Sequence, residues 1–324
     1  MRAHGQNMAA TAAASGSFID PQVLMRIKNL ELRARVVVQG FWNGLHRSPY
    51  HGFSVEFTEY RQYTPGDDPR YVDWRLFARS DRYYVKKFED ETNLRCHLLV
   101  DCSRSMGYGS VGHTKTDYAN TLAATLAYFL YQQGDAVGVL TFDEEVRDYL
   151  PARNRPGHLR HLMLALEKAS AGTSTDLISP LKRIVEITRK RGLMVLISDL
   201  LASVDRLETS LAALTASGHE VLLFHVLDPE EMNFRFEKAS LFRDVESGRE
   251  LYIDPALARQ EYLKRFTAHI ANVEATCRKL GVTWLRLLTN QPLELALFDF
   301  LRARVQRGKA TRRTRGAGVK APAA

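Results

Sequence analysis

Three oxygen-bearing side chains follow one apolar stretch of the chain at alternate positions. Residues 98–100 (Leu-Leu-Val) are typical of the end of a buried strand, and Asp101, Ser103 and Ser105 come directly after them. Residues two apart in an extended or gently turning segment lie on the same side, so these side chains are expected to converge just beyond the strand. One carboxylate and two hydroxyls, with no imidazole or thiolate, form a set of hard donors that suits Mg²⁺ better than zinc.

A second carboxylate is expected at the same place. Asp199 follows the apolar run 193–197, and Thr175 lies in a polar loop before a predicted helix. The carboxyl ends of parallel strands meet at one edge of a sheet, where ligands bind in open α/β folds. Two carboxylates at that edge repel each other unless a cation or a proton lies between them. The pattern therefore predicts an oxygen-only site built from three separated elements.

The elements around these residues alternate between strands and helices. Apolar strands are predicted at 135–142, 193–197, 220–226 and 282–287, and amphipathic helices lie between them. Strands that are apolar throughout indicate a parallel sheet covered on both faces. We therefore expect an α/β fold, a doubly wound, mostly parallel sheet of Rossmann type, with a hairpin near 241–253.

The segment before the central motif has a different character. Residues 48–91 mix charged and aromatic side chains, with strands expected at 54–62 and 82–88 and a turn at 65–68. The mixture fits internally paired charges with aromatic packing, and it equally fits a surface for a partner. Internal pairing is the favoured interpretation, and a partner surface is the alternative. In either case the segment predicts a small N-terminal strand-rich module.

Composition narrows the class of protein. The chain is 45% hydrophobic and 25% charged, and its three cysteines are too few for a disulfide framework. No apolar run reaches the length of a membrane span, so we predict a cytoplasmic protein. The net charge of +8 resides entirely in the basic segment from Arg302 onward, which contains no acidic residue. Such a tail can touch nucleic acid or anionic lipid, but a solubilising role is the simpler interpretation.

These patterns divide the chain into four parts. Residues 1–17 are small and polar and are predicted to be disordered, and residues 18–92 combine a helix with the strand-rich module. Residues 93–305 form the predicted α/β domain. Residues 306–324 are predicted to be a disordered basic tail.

The order of the motifs resembles two known patterns. Asp101-x-Ser103-x-Ser105, a Thr-Asp loop and a strand-end Ser-Asp follow the metal-ion-dependent adhesion site (MIDAS) of von Willebrand factor A (VWA) domains. The segment Gly66-Asp-Asp-Pro-Arg-Tyr-Val-Asp-Trp74 is similar to the signature of the DUF58 family, which precedes such a VWA-like domain. The resemblance covers about residues 48–227.

The resemblance carries expectations about ligands and partners. It implies that the metal ligands are Asp101, Ser103, Ser105, Thr175 and Asp199, with Thr173 competing with Thr175 in the same loop. The metal would be Mg²⁺ or another hard divalent cation such as Mn²⁺ or Ca²⁺. A partner protein would donate an Asp or Glu to it. MoxR-type AAA+ ATPases are the partners that the resemblance suggests, and neither a membrane nor nucleic acid is expected.

Two classes of function follow. The first is a non-enzymatic adaptor that binds through the metal and assists protein assembly or maturation. The alternative is a Mg²⁺-dependent phosphatase or phosphotransferase with Asp101 as nucleophile. Phosphatases of that kind commonly place a second carboxylate two residues further on, where this chain has Ser103. The adaptor is therefore the favoured prediction.

Overall fold

The computed structural model describes residues 18–47, 59–62, 84–87, 94–168, 178–188, 190–236, 238–243 and 249–316. The chain divides into two compact units, one of residues 1–44 and 94–324 and one of residues 45–93. The DUF58-like signature from Gly66 to Trp74 lies outside the described residues, and so do Thr173 and Thr175. The four-part domain division remains a prediction.

The strands are numbered in chain order. They are β1 (Glu59–Gln62), β2 (Tyr84–Lys87), β3 (Arg95–Asp101), β4 (Ala136–Phe142), β5 (Val146–Arg153), β6 (Leu193–Ser198), β7 (Glu220–Leu227), β8 (Ser240–Arg243), β9 (Glu250–Ile253) and β10 (Thr283–Leu288). In the smaller unit β1 and β2 pair antiparallel, and in the larger unit β8 and β9 form the predicted hairpin.

The helices are numbered in the same way. They are α1 (Pro21–Leu24), α2 (Leu30–Arg47), α3 (Lys115–Gln132), α4 (His158–Glu167), α5 (Ile178–Ile187), α6 (Val204–Ala216), α7 (Pro229–Asn233), α8 (Pro255–Lys279) and α9 (Leu293–Gly316). A short 3-10 helix covers Arg104–Gly107. Helix α9 extends to Gly316 and so enters the segment 306–324 that was predicted to be disordered, because the Arg, Lys, Gln and Ala residues there are good helix formers.

The main sheet has the strand order β10-β7-β6-β3-β4-β5. Every neighbouring pair in it is parallel except β4 and β5, which are antiparallel at the edge. The predicted fold class, an α/β doubly wound and mostly parallel sheet, is confirmed.

Strand β5 was not predicted from the sequence. Its residues are mostly half-buried and include Pro151, so it lacks the uniformly apolar character of the central strands. Proline cannot donate a ladder hydrogen bond and is tolerated at sheet edges. The edge position thus explains both the composition and the missed prediction.

Buried side chains fill both faces of the sheet. On one face, residues of α5, α6 and α8 form a continuous core with inward-facing residues of the strands, Leu99, Leu196 and Leu223 among them. On the other side of the fold, Phe41 of α2 contacts Phe129 of α3 and Phe298 of α9. Helix α2 therefore packs with the α/β unit.

The order of the strands creates a crevice between β3 and β6. The chain continues from β3 to β4 on one side, whereas β6 pairs with β3 on the other side. This is a topological switch point, at whose carboxyl edge α/β proteins bind their ligands. Asp101 is the last residue of β3, and Asp199 directly follows the end of β6.

None of the helices in the described part of the chain has the length and apolar character needed to span a membrane.

Candidate functional site

The structure brings together the three residues that follow β3. The Ser103 N–H donates to Asp101 Oδ1 at 2.8 Å, and the Ser103 and Ser105 hydroxyl oxygens are 3.1 Å apart. All three side chains are buried, whereas Arg104 and Gly107 beside them are exposed. The convergence arises because the chain turns from β3 into the 3-10 helix, and an Asp that accepts from the N–H two residues on is typical of such a turn.

Residues at the end of β6 complete the junction. The Ser198 hydroxyl donates to Asp101 Oδ2 at 2.6 Å, so a hydrogen bond joins the two strand ends. Burial, and secondarily the charge of Asp199, raise the pKa of Asp101, although hydrogen bonds from Ser198 and Ser103 partly oppose that shift. The negative charge on Asp101 is therefore costly unless a cation compensates it.

The backbone after Asp199 is strained. Leu200 has φ = +53°, which is uncommon for a residue with a branched side chain. Its N–H donates to the Ser198 hydroxyl at 3.0 Å, and the Leu201 N–H donates to Asp199 Oδ1 at 3.3 Å. His225 Nε2 donates to the Asp199 carbonyl at 2.8 Å, since a carbonyl can only accept. These bonds keep the backbone in this conformation, and strain of this kind concentrates at functional sites.

A lysine that was not selected from the sequence pairs with the second carboxylate of the site. Lys115 Nζ is 2.8 Å from Asp199 Oδ2 and 2.5 Å from Glu231 Oε1. Its side chain is 0% exposed. Burial alone would lower the pKa of Lys115, but the two carboxylates outweigh that effect and raise it. Lys115 is therefore protonated near neutral pH.

The position of Lys115 carries a weak sequence signal. It is the first residue of α3, whose capping box is formed by Thr114 and Asp117. A cation in the first turn opposes the helix dipole, which favours negative charge there. A residue that breaks this local preference points to a tertiary role.

A further carboxylate ties the loop after the motif to β7. Asp228 accepts from the Ser110 N–H at 2.8 Å and from the Ser110 hydroxyl at 2.5 Å. Glu231 accepts from the Asp228 N–H at 2.8 Å and closes a capping box on α7. The Lys115 partner Glu231 is thus held by the same short helix that anchors the loop.

The oxygen donors around Asp101 are of the kind that a hard cation binds. Within the described residues no ammonium or guanidinium forms an ion pair with Asp101, and its hydrogen bonds come from neutral donors. The same residues contain no group of three or more His, Cys, Asp or Glu side chains that could hold a metal. A cation here would thus rest on one carboxylate and the hydroxyls of Ser103 and Ser105, which fit Mg²⁺ in kind.

Cys102 lies within the motif but is poorly suited to nucleophilic chemistry. Burial, together with the charges of Asp101 and Asp143, raises the pKa of its thiol to about 12. The thiolate is the nucleophilic form of cysteine, and it is scarce near neutral pH at such a pKa.

Comparison with known proteins places these residues in a family. The family described as "Protein of unknown function DUF58" matches residues 59–272. An uncharacterized protein of Mycobacterium tuberculosis (strain ATCC 25618 / H37Rv) is 32% identical over 295 residues, covering 89% of this chain and 92% of the relative. An uncharacterized protein of Mycobacterium avium is 32% identical over 139 residues, covering 42% of this chain and 80% of the relative.

Solved structures also show a likeness. An aerotolerance-related membrane protein from Bacteroides fragilis has a TM-score of 0.46 and 16% identity, covering 63% of this chain and 94% of that one. The conserved hypothetical protein BatB from Bacteroides thetaiotaomicron has a TM-score of 0.45 and 15% identity. The match covers 66% of this chain and 99% of that one. The Rpn10 VWA domain has a TM-score of 0.36 and 12% identity, covering 62% and 92%.

Proposed function

The chain belongs to the DUF58 family, and from the geometry of its site we propose that it is a non-enzymatic adaptor that binds a partner protein through a divalent cation. The cation, Mg²⁺ or another hard ion such as Mn²⁺ or Ca²⁺, would be held at the carboxyl ends of β3 and β6. Its direct ligands would be Asp101, Ser103 and Ser105, with Thr175 as the proposed contribution of the loop before α5. Asp199, the fifth ligand predicted from the sequence, is paired with Lys115, and its coordination remains a prediction.

One observation carries this proposal. Asp101 is a buried carboxylate at the switch point of the sheet, with two serine hydroxyls converging beside it and no basic partner among the described residues. Burying an uncompensated charge is expensive, and a bound cation would compensate it. Asp199 differs, since Lys115 already compensates it.

The residues of the chain would hold the cation and orient the partner's carboxylate toward it. No covalent bond would be broken. Ser198 and the Ser103 N–H fix the two oxygens of Asp101, so that the carboxylate is preorganised for a ligand. A bound divalent cation would supply an open coordination position for an Asp or Glu of the partner. The partner class that the family resemblance suggests is a MoxR-type AAA+ ATPase, with a role in protein assembly or maturation.

The phosphatase alternative gains no support from the geometry. In that mechanism Asp101 would be the nucleophile, and a carboxylate two residues further along the chain would assist it. The residue two positions on is Ser103, whose hydroxyl is 3.1 Å from that of Ser105. A serine at that position lacks the acidity needed for general acid–base work.

Thermal unfolding with and without Mg²⁺ tests the cation site. Binding to the folded state alone stabilises a protein by about 2.7 kcal/mol at a hundredfold excess over Kd. We expect Mg²⁺ to raise the Tm of the wild type but not that of Asp101→Ala. Asp143→Ala is the matched control, because Asp143 is a buried carboxylate just after β4 that pairs with Arg147 instead. An equal Mg²⁺ shift in wild type and Asp101→Ala would refute the assignment.

Capture of the partner tests the adaptor role. Purified MoxR-type ATPase from the same cell is expected to be retained by the immobilised wild type in Mg²⁺ and released by EDTA. Asp101→Ala should retain none under either condition, whereas Asp143→Ala should behave as the wild type. If EDTA does not release the ATPase from the wild type, partner binding does not depend on a metal.

A further inference from the structure

We propose that Lys115 determines the ligand specificity of this site by keeping Asp199 out of direct coordination. Asp101 then remains the one charged protein ligand, and the site selects an anionic ligand, a carboxylate, from outside. This inference rests on the proposed function, and it assigns a role to a residue that the DUF58-like and MIDAS-like motifs do not contain.

The contacts of Asp199 carry the first step. Lys115 Nζ is 2.8 Å from Oδ2, and the Leu201 N–H donates to Oδ1 at 3.3 Å. Both oxygens are therefore engaged by donors of the chain itself, one of them a full positive charge. Asp101 differs, because its two oxygens accept from the neutral donors Ser103 N–H and Ser198 O–H. Of these two carboxylates, Asp101 is the one that no described ammonium or guanidinium neutralises.

Glu231 is the second carboxylate that holds the ammonium of Lys115. Glu231 Oε1 is 2.5 Å from Lys115 Nζ, and Glu231 is itself fixed because it accepts from the Asp228 N–H. The Tyr262 hydroxyl donates to the Glu231 carbonyl at 3.0 Å. With an ion pair on either side, the ammonium stays near Asp199 when a cation approaches Asp101.

The net charge that remains on the bound cation depends on how many aspartates coordinate it. A divalent cation bound by Asp101 alone retains one net positive charge, whereas coordination by both Asp101 and Asp199 would cancel it. Opposite charges attract strongly in a buried site of low dielectric constant. The retained charge thus favours a carboxylate over water or a neutral oxygen as the outside ligand. Without Lys115, Asp199 would take that role itself.

A double variant with a preserved net charge separates this role from simple structural support. The cluster of Lys115, Asp199 and Glu231 has a formal charge of −1, and Lys115→Met combined with Glu231→Gln also leaves −1. The probe is Mn²⁺, titrated by calorimetry into the full chain with and without acetate at constant ionic strength. Glu231→Gln alone keeps the Lys115–Asp199 pair and is the matched control.

The expected results differ among these proteins. The double variant should bind Mn²⁺ about tenfold more tightly than the wild type, because ligand charge sets the affinity of such sites. Acetate should tighten Mn²⁺ binding by the wild type and by Glu231→Gln, and should have no effect on the double variant. Equal Mn²⁺ affinity in the wild type and the folded double variant would overturn this inference but not the proposed function. A wild type that binds no Mn²⁺ would overturn the proposed function as well.

Asp199→Asn serves where the double variant does not fold. The asparagine preserves the shape of Asp199, and Lys115 keeps its pair with Glu231. Because Asp199 is not a direct ligand in this proposal, Mn²⁺ affinity should change by less than about threefold. A loss of tenfold or more would identify Asp199 as a ligand and overturn the inference.

Discussion

Two buried carboxylates at neighbouring strand ends have different partners in this protein. Asp199 is paired with the ammonium of Lys115, whereas the hydrogen bonds that Asp101 accepts from described residues come from the neutral donors Ser103 and Ser198. The two aspartates occupy equivalent positions but have different roles, because Lys115 compensates the charge of Asp199 and not that of Asp101. A buried charge is costly when it has no such partner. The functional proposals follow from this asymmetry.

A buried histidine on β3 predicts a dependence of stability on pH. Burial lowers the pKa of His97 to about 4, and the neighbouring His219 and Arg95 add to that effect. The unfolded chain takes up a proton near pH 6.5 while the folded protein does not, so stability is full above pH 6.5 and falls as the pH falls toward 4. The total loss from this one group is about 3 kcal/mol.

Replacing His97 by Asn should remove this part of the acid sensitivity. Urea unfolding at several pH values between 7 and 4 measures it as the slope of the unfolding free energy. His161→Asn on α4 is the control, because that side chain is exposed. If His97→Asn and the wild type show the same slope, His97 is not the source of the sensitivity.

At the scale of elements, the loop between the 3-10 helix and α3 depends on a glycine. A Cβ on Gly109 would lie 2.0 Å from the His113 carbonyl oxygen, so any side chain there forces the loop apart. The next residue, Ser110, anchors the loop to Asp228. The close approach of backbone to backbone is therefore part of the framework that surrounds Lys115.

Gly109→Ala should consequently destabilise the protein by about 1–3 kcal/mol, the usual cost of forcing extra atoms into a packed region. Gly107→Ala is the matched control, because a Cβ at Gly107 meets nothing within 4 Å. Urea unfolding of both variants decides the matter. A Gly109→Ala protein as stable as Gly107→Ala would show that the loop relaxes without cost.

At the scale of the whole molecule, α2 belongs to the core of the α/β unit. Phe41 is fully buried, and its ring contacts Phe129 and Phe298 with centroid distances of 5.9 and 4.6 Å. Helix α2 precedes the central sheet in the chain yet packs against α3 and the last helix, α9. The helix and the sheet are therefore expected to unfold together.

Phe41→Ala should lower the free energy of unfolding by about 3–5 kcal/mol, the range for removal of a buried aromatic side chain. Leu32→Ala on the same helix is the control, because Leu32 is 46% exposed and should change stability by less than about 0.5 kcal/mol. Unfolding followed by circular dichroism and by tryptophan fluorescence should give one coincident transition. Separate transitions for the two probes would contradict this expectation.

The sequence by itself determined the fold class and part of the site. Uniformly apolar strands alternating with amphipathic helices can be buried only as a parallel sheet covered on both faces. The alternation of side chains along the chain likewise determined that Asp101, Ser103 and Ser105 converge, since that depends on local geometry alone. Thr175 as a ligand remains a prediction, because it lies outside the described residues.

Only the tertiary structure decided which charge compensates which. Lys115 is 84 residues from Asp199 and 116 from Glu231 along the chain, and no periodicity links positions so far apart. Strand β5 was missed for a related reason, since an edge strand needs no distinctive apolar pattern. Local patterns specify the elements and their buried faces. The pairing of Lys115 with Asp199 arises only when α3 and β6 meet at the crevice, so the ligand specificity proposed for the site depends on the assembled fold.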